Sequence, residues 1–266
     1  MPWSHCAAKW PMRIAIHQPN YLPWCGYFHK MGQVDLFVIL DDCFFTKSGV
    51  THRTRIRTPQ GICWLTVPVG KKEIPILGLS PDGAQDWRTR QWNIIKNSYL
   101  KTAFWSECAR WLEPLLKTKW ATLVDLNLEG IREVARLLKI ETRMLRTSEF
   151  PEDVKCTLGS GSVRNLKICQ YLGATSYVSG QGARSYNDEQ AFASAGISLE
   201  YLRFNHPVYP QPGEDFIPGL SIVDLLFNCG PKSAQVLFDS HLNSGQIEKH
   251  ISIDLIDVAP TINFPA

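Results

Sequence analysis

The run Val34 to Leu40 (VDLFVIL), closed by Asp41 and Asp42, constrains the fold more than any other stretch. It is short and, Asp35 apart, continuously apolar. That pattern fits a strand buried on both faces, as in a parallel sheet with helices packed on either side. Met12 to His17 (MRIAIH) is a second short β-branched run. Pro19 and Pro23 stop it and force an extended loop. Trp24 to Met31 carries a pattern that allows a helix, so the chain opens as strand, polar loop, helix, strand.

Thr51 to Thr58 and Ile62 to Val69 flank Pro59-Gln60-Gly61 and read as an antiparallel hairpin. Trp87 to Leu100, Ala103 to Leu116 and Leu126 to Leu138 place apolar residues at helical spacing, predicting a mainly helical middle. Thr142 to Arg146 reads as a strand, and Val163 to Leu172 as a helix stopped by Gly173. Ser176 to Ser179 and Ile197 to Phe204 read as strands around a helix from Glu189 to Ala195. The four prolines between His206 and Pro218 demand an extended loop, after which Ser221 caps a helix to Asn228. The expected fold is α/β, with a parallel central sheet that is Rossmann- or HUP-like in its N-terminal half, a β-hairpin and a helical middle section. One domain spans 12–243, between an irregular extension (1–11) and a tail (244–266) in which Ile251 and Ile253 could add an edge strand.

The 266 residues are within reach of one hydrophobic core. A formal charge of only +3, with basic residues scattered, makes no demand for nucleic acid. The eight cysteines are spread along the chain with no C-x-x-C pair, a reduced, cytoplasmic pattern. No window approaches the ~18 apolar residues of a membrane span, and the first residues lack a signal peptide's apolar stretch. Small-molecule substrates are the expected partners; oligomeric state cannot be read from the sequence.

The chemistry-bearing residues fall mainly in loops that follow expected strands. His17-Gln18-Pro19-Asn20-Tyr21-Leu22-Pro23-Trp24 is a rigid polar loop at a strand's carboxyl end, where open α/β sheets bind ligands. His17 is the first choice of base; Gln18, Asn20, Tyr21, Trp24 and Tyr27 are candidate substrate contacts. Gly26 would let helix-start amides approach an anion. Asp41 and Asp42 would need a cation or donors: either Mg²⁺ held with a nucleotide, or Lys47, His52 or Arg53. One carboxylate should face the site and the other point away. Lys47 could also contact a substrate phosphate. Arg53, Arg55 and Arg57 share one strand face, either for an anionic ligand or as a solvated stripe. Ser179-Gly180, Tyr186, His206 and Tyr209 complete the set. Ser221, His206 and Asp224 could be drawn as a hydrolase triad, but Ser221 lacks the G-x-S-x-G elbow and reads as a helix cap. No zinc-ligand spacing occurs.

Ile16 to Trp24 (IHQPNYLPW), Gly26 to Phe28, Leu40 to Asp42, Lys47 and Arg53, in this order, resemble the WbqC-like protein family. The likeness continues through Trp64 to Val69, Tyr177 to Gly180, Tyr186, His206 to Gln211 and Leu220 to Gly230. Phe44 stands where the family commonly has Gln, and Thr54 where it commonly has Asn. The resemblance implies a setting in surface-polysaccharide gene clusters and a role in transferring glycine or another amino acid onto an amino sugar. For such a transfer, residue type and loop position make His17 the first choice of general base, with Asn20 or Gln18 and the Gly26 backbone as candidate oxyanion donors. Two other functions stay open: an ATP-dependent ligase or nucleotidyltransferase of HUP-like fold, using ATP with Mg²⁺, and a non-catalytic sugar-nucleotide binding module.

Overall fold

In the computed structural model, which describes residues 11–70, 74–81, 83 and 86–239, the Val34–Leu40 run contains β2 (Leu36–Ile39), and every residue of it is buried. β1 (Arg13–His17) precedes it, and α1 (Cys25–Met31) joins the two. The hairpin is β3 (Arg53–Thr58) and β4 (Gly61–Thr66), paired antiparallel with Arg55 opposite Trp64. The helical middle is α2 (Trp87–Tyr99), α3 (Trp105–Lys117) and α4 (Leu123–Leu137). Asp86 caps α2 by accepting from the Thr89 N–H. α4 begins earlier than its apolar spacing predicts because Thr122 caps it, accepting from the Asp125 N–H.

β5 (Arg143–Arg146), α5 (Glu152–Lys155), α6 (Gly161–Leu172), β6 (Ser176–Gly180), α7 (Glu189–Ser194) and β7 (Ser198–Leu202) follow. The described chain ends in α8 (Ile222–Cys229) and α9 (Ser233–Asp239). Gly173 ends α6 at φ +68°, a conformation glycine adopts without strain. The expectations for the N-terminal extension, Pro11 apart, and for the tail with Ile251 and Ile253 lie outside the described residues.

Five strands form one parallel sheet in the order β5-β2-β1-β6-β7. Period-2 alternation divides the strand residues between two cores. Ala15, Phe37, Ile39 and Val178 pack with α1, the helical middle and α8. Ile14, Ile16, Leu36, Val38 and Tyr177 pack on the other face with α6 and α7. Helices on both faces explain why β2 carries no polar alternation.

The chain leaves β1 for β2 on one side, and later crosses from β5 to β6 on the other side of β1. The strand order therefore reverses between β1 and β6. Above the carboxyl ends of such a pair, loops diverge and leave a crevice, the usual place for a ligand in open α/β sheets.

Candidate active site

His17 is the last residue of β1, level with Ile39 of β2. The parallel register that sets Ala15 beside Val178 brings Ser179 and Gly180, at the end of β6, to the same sheet edge. The sheet thus collects loops that are far apart in sequence: His17–Trp24 after β1, Leu40–His52 after β2, the turn after β6, and the proline-rich segment after β7.

The His17 ring meets Tyr27 edge-on, with centroids 4.8 Å apart. Its Nδ1 lies 3.1 Å from the Gln18 carbonyl oxygen. A carbonyl only accepts, so Nδ1 carries the hydrogen and Nε2 keeps the basic lone pair. Burial, and then the charge of Lys30, hold the imidazole pKa well below its ordinary value, so the ring is neutral at pH 7. Asn20 is only 3% exposed, and its side-chain amide has no hydrogen-bond partner among the described residues. Gln18 is committed: its Nε2 donates to Cys43 Sγ at 3.2 Å, and its Oε1 accepts from Thr51 Oγ1 at 3.0 Å. Asn127 fixes this loop from α4 by donating to the carbonyls of Pro19 and Thr51, each at 2.7 Å.

Several expected contacts are structural instead. Tyr21 is fully buried and donates to Gln91 Oε1 at 2.7 Å. Tyr27, also buried, donates to the Gln18 carbonyl at 3.3 Å. Gly26 offers no anion cradle, because a Cβ there would lie 2.4 Å from the Trp24 indole. The glycine makes room for that ring, which is 37% exposed and meets Phe204 edge-on at 5.1 Å.

The paired carboxylates take partners other than those their sequence neighbours suggest. Asp41 is fully buried and accepts from Arg146 Nε at 2.6 Å, Ser148 N–H at 3.0 Å, Ser148 Oγ at 2.6 Å and Thr147 Oγ1 at 3.3 Å. Asp42 accepts from Thr147 Oγ1 and Arg164 Nη2. The two do not diverge; Thr147 bonds both. Their cations are Arg146 and Arg164, not Lys47, His52 or Arg53. With its oxygens taken by four donors, Asp41 anchors the ends of β2 and β5 and has little capacity left for a metal.

Lys47 is exposed on the loop after β2. Arg53 donates to the carbonyls of Gly49 at 3.2 Å and Ser48 at 2.6 Å, and its guanidinium lies 4.5 Å from the Trp64 ring centroid. Arg55 donates to the Gly219 carbonyl at 3.1 Å, and Arg57 to Gln211 Oε1 at 3.3 Å and to the Asp215 carbonyl. The arginine stripe is therefore a set of loop clamps, neither a bare solvated face nor a preformed anion site. Buried His52 meets Phe45 edge-on at 5.0 Å; burial, then the charges of Arg53 and Lys47, pull its pKa down to about 4.

Near the end of β6, buried Ser179 accepts from Asn187 Nδ2 at 3.1 Å, and Tyr186, beyond the strand, is 49% exposed. After β7, His206 packs on Phe204 and Phe216 with centroids 5.8 and 5.5 Å away. Its Nδ1 faces the Pro207 carbonyl at 3.0 Å, so Nε2 is an acceptor, and that atom is buried without a partner. Tyr209 is structural: with Tyr99 and Gln211 it donates to the fully buried carboxylate of Asp224, at 2.8, 2.7 and 2.7 Å. Ser221 caps α8, as expected, and donates to the Leu22 carbonyl at 2.7 Å.

Sequence reasoning missed Arg146, Thr147, Ser148, Arg164 and Lys30. Thr147 and Ser148 directly follow a recognisable strand, so the rule that picked the other loops applied to them as well.

The WbqC-like protein family model matches residues 18–236. The chain belongs to the WbqC-like protein family. It is 36% identical over 231 residues to the uncharacterized protein Rv1507c of Mycobacterium tuberculosis (strain ATCC 25618 / H37Rv), an alignment covering 85% of this chain and 97% of that protein. No solved structure matches the chain. Among the described residues of this family member, no helix is long and apolar enough to cross a membrane.

Proposed function

We propose that this protein is an amide-forming transferase that moves an aminoacyl or acyl group from an activated donor onto an amino sugar or similar small amine, in surface-polysaccharide or secondary-metabolite synthesis. The observation that carries this reading is the His17 tautomer. A neutral imidazole at the carboxyl end of the central strand, with its Nδ1 hydrogen given to Gln18, offers Nε2 as a general base. The amine nitrogen attacks the acyl carbon as Nε2 takes its proton. The tetrahedral intermediate then collapses, and the imidazolium returns that proton to the departing group of the donor. Of the expected oxyanion donors, Asn20 has an uncommitted amide, whereas Gln18 is held by Cys43 and Thr51 and the Gly26 backbone lies under Trp24. The same cover over Gly26 weakens the ATP-dependent ligase reading, which needs a phosphate at that turn.

The test is mass spectrometry of the purified protein with nucleotide-linked amino sugars and acyl-CoA donors, beside His17→Ala. The expected result is an acylated amino sugar with the native chain, and loss of turnover with retained ligand-induced thermal stabilisation in the variant. Turnover by His17→Ala at the native rate, or product formed only with ATP and release of pyrophosphate or ADP, would overturn the reading.

A further inference from the structure

Lys30 lies in the last turn of α1 with 6% of its surface exposed. Among the described residues it has no carboxylate partner. Its Nζ donates one long bond, 3.4 Å, to the carbonyl of Ile16, the residue before His17. It also sits 5.8 Å from the Phe37 ring centroid. Phe37 lies 5.1 Å from the Tyr27 ring, and Tyr27 4.8 Å from His17. The amine and the imidazole thus flank one buried aromatic layer, Phe37 and Tyr27.

A methionine would fill this space without burying a charge, and a single weak hydrogen bond is poor compensation for desolvating an ammonium. Burial alone brings the amine's pKa down to about 7. We infer that Lys30 is a positioning residue for His17: its buried amine, held against the Ile16 carbonyl, adds to burial in disfavouring a proton on the imidazole. This role gains its functional meaning from the reading of His17 as a base.

The physical cause is like-charge repulsion in a poorly solvated layer. A proton on Lys30 disfavours one on His17, and the reverse holds equally. The other groups around His17 bring no competing charge. Burial raises the Tyr27 phenol and raises the Cys43 thiol to about 11, so both stay neutral. β2 presents Phe37 and Ile39, and β6 presents Ser179 and Gly180. Asp41 and Asp42 are paired with Arg146 and Arg164.

The experiment is an NMR titration of the full chain carrying labelled histidine, with the His17 signal assigned by its loss in His17→Gln. Lys30→Met removes the charge and keeps the apolar stem; Lys30→Arg keeps the charge. The expected result is a higher His17 midpoint in Lys30→Met and a low one retained in Lys30→Arg. An unchanged midpoint in Lys30→Met, with the remaining histidine signals native, would overturn the inference. Should the variants fail to fold, labelled lysine in the native chain decides: Lys30 should titrate near pH 7 and leave a second inflection in the His17 curve, and a single-step His17 curve would contradict the coupling. Absence of acyl transfer would remove the proposed function and leave this titration to be judged separately.

Discussion

Asp41 shows what one residue's sequence context can and cannot reveal. The end of a buried apolar run announces that both carboxylates need donors or cations. It does not say which, and Arg146 and Arg164 lie 105 and 122 positions further on. Spacing favoured nearby Lys47, His52 and Arg53; the parallel pairing of β2 with β5 brings Arg146 instead. Removing one partner of such a pair strands the other, and because Arg146 is 29% exposed it can turn to water. Asp41→Ala should therefore cost about 3 kcal/mol, at the low end for a broken buried pair. Urea unfolding reads this as a lower midpoint at unchanged slope; a loss under about 0.5 kcal/mol, typical of a neutral surface change, would contradict the anchoring role. Gly26 teaches the same lesson at shorter range. A glycine before a helix permits both anion approach and side-chain overlap, and only the folded Trp24 ring decides between them.

At the scale of elements, most of the fold was legible because apolar spacing is a local signal: the strands, the hairpin and the helices fall close to where periodicity puts them. The tie between elements was not legible, since it depends on tertiary approach. Asp224 of α8 is the clearest case, binding Tyr99 of α2 and both Tyr209 and Gln211 of the proline-rich loop. Tyr99→Phe should cost about 1–3 kcal/mol, because a buried carboxylate loses a donor. Burial pushes the Asp224 carboxyl above its ordinary value, against the pull of its hydrogen-bond donors. A raised carboxyl binds its proton more tightly in the folded state than in the unfolded one. Its contribution is therefore fully present below the unfolded value of about 3.9 and is lost as pH rises through the folded pKa. The stability of the native chain relative to Asp224→Asn should fall as pH rises across that window and then level off. Paired urea titrations over pH check this; a difference that grows with pH would contradict it.

Across the whole molecule, the strand order places the candidate site. The pairing of β1 with β6 stops at Ala15 and Val178, and the strand ends and loops beyond it carry His17, Asn20, Ser179 and Tyr186. The individual loops were visible in the sequence, but their convergence was not, because β6 returns beside β1 only after crossing β2 and β1 from β5. If these loops form one ligand site, a bound ligand protects them together. Hydrogen exchange of the full chain with and without a saturating nucleotide-linked amino sugar tests it directly. The expected result is slower exchange with ligand in both His17 to Tyr27 and Ser179 to Tyr186, with the hairpin's outer face unchanged. Protection confined to the hairpin or to the middle helices, or no change at any segment, would contradict it.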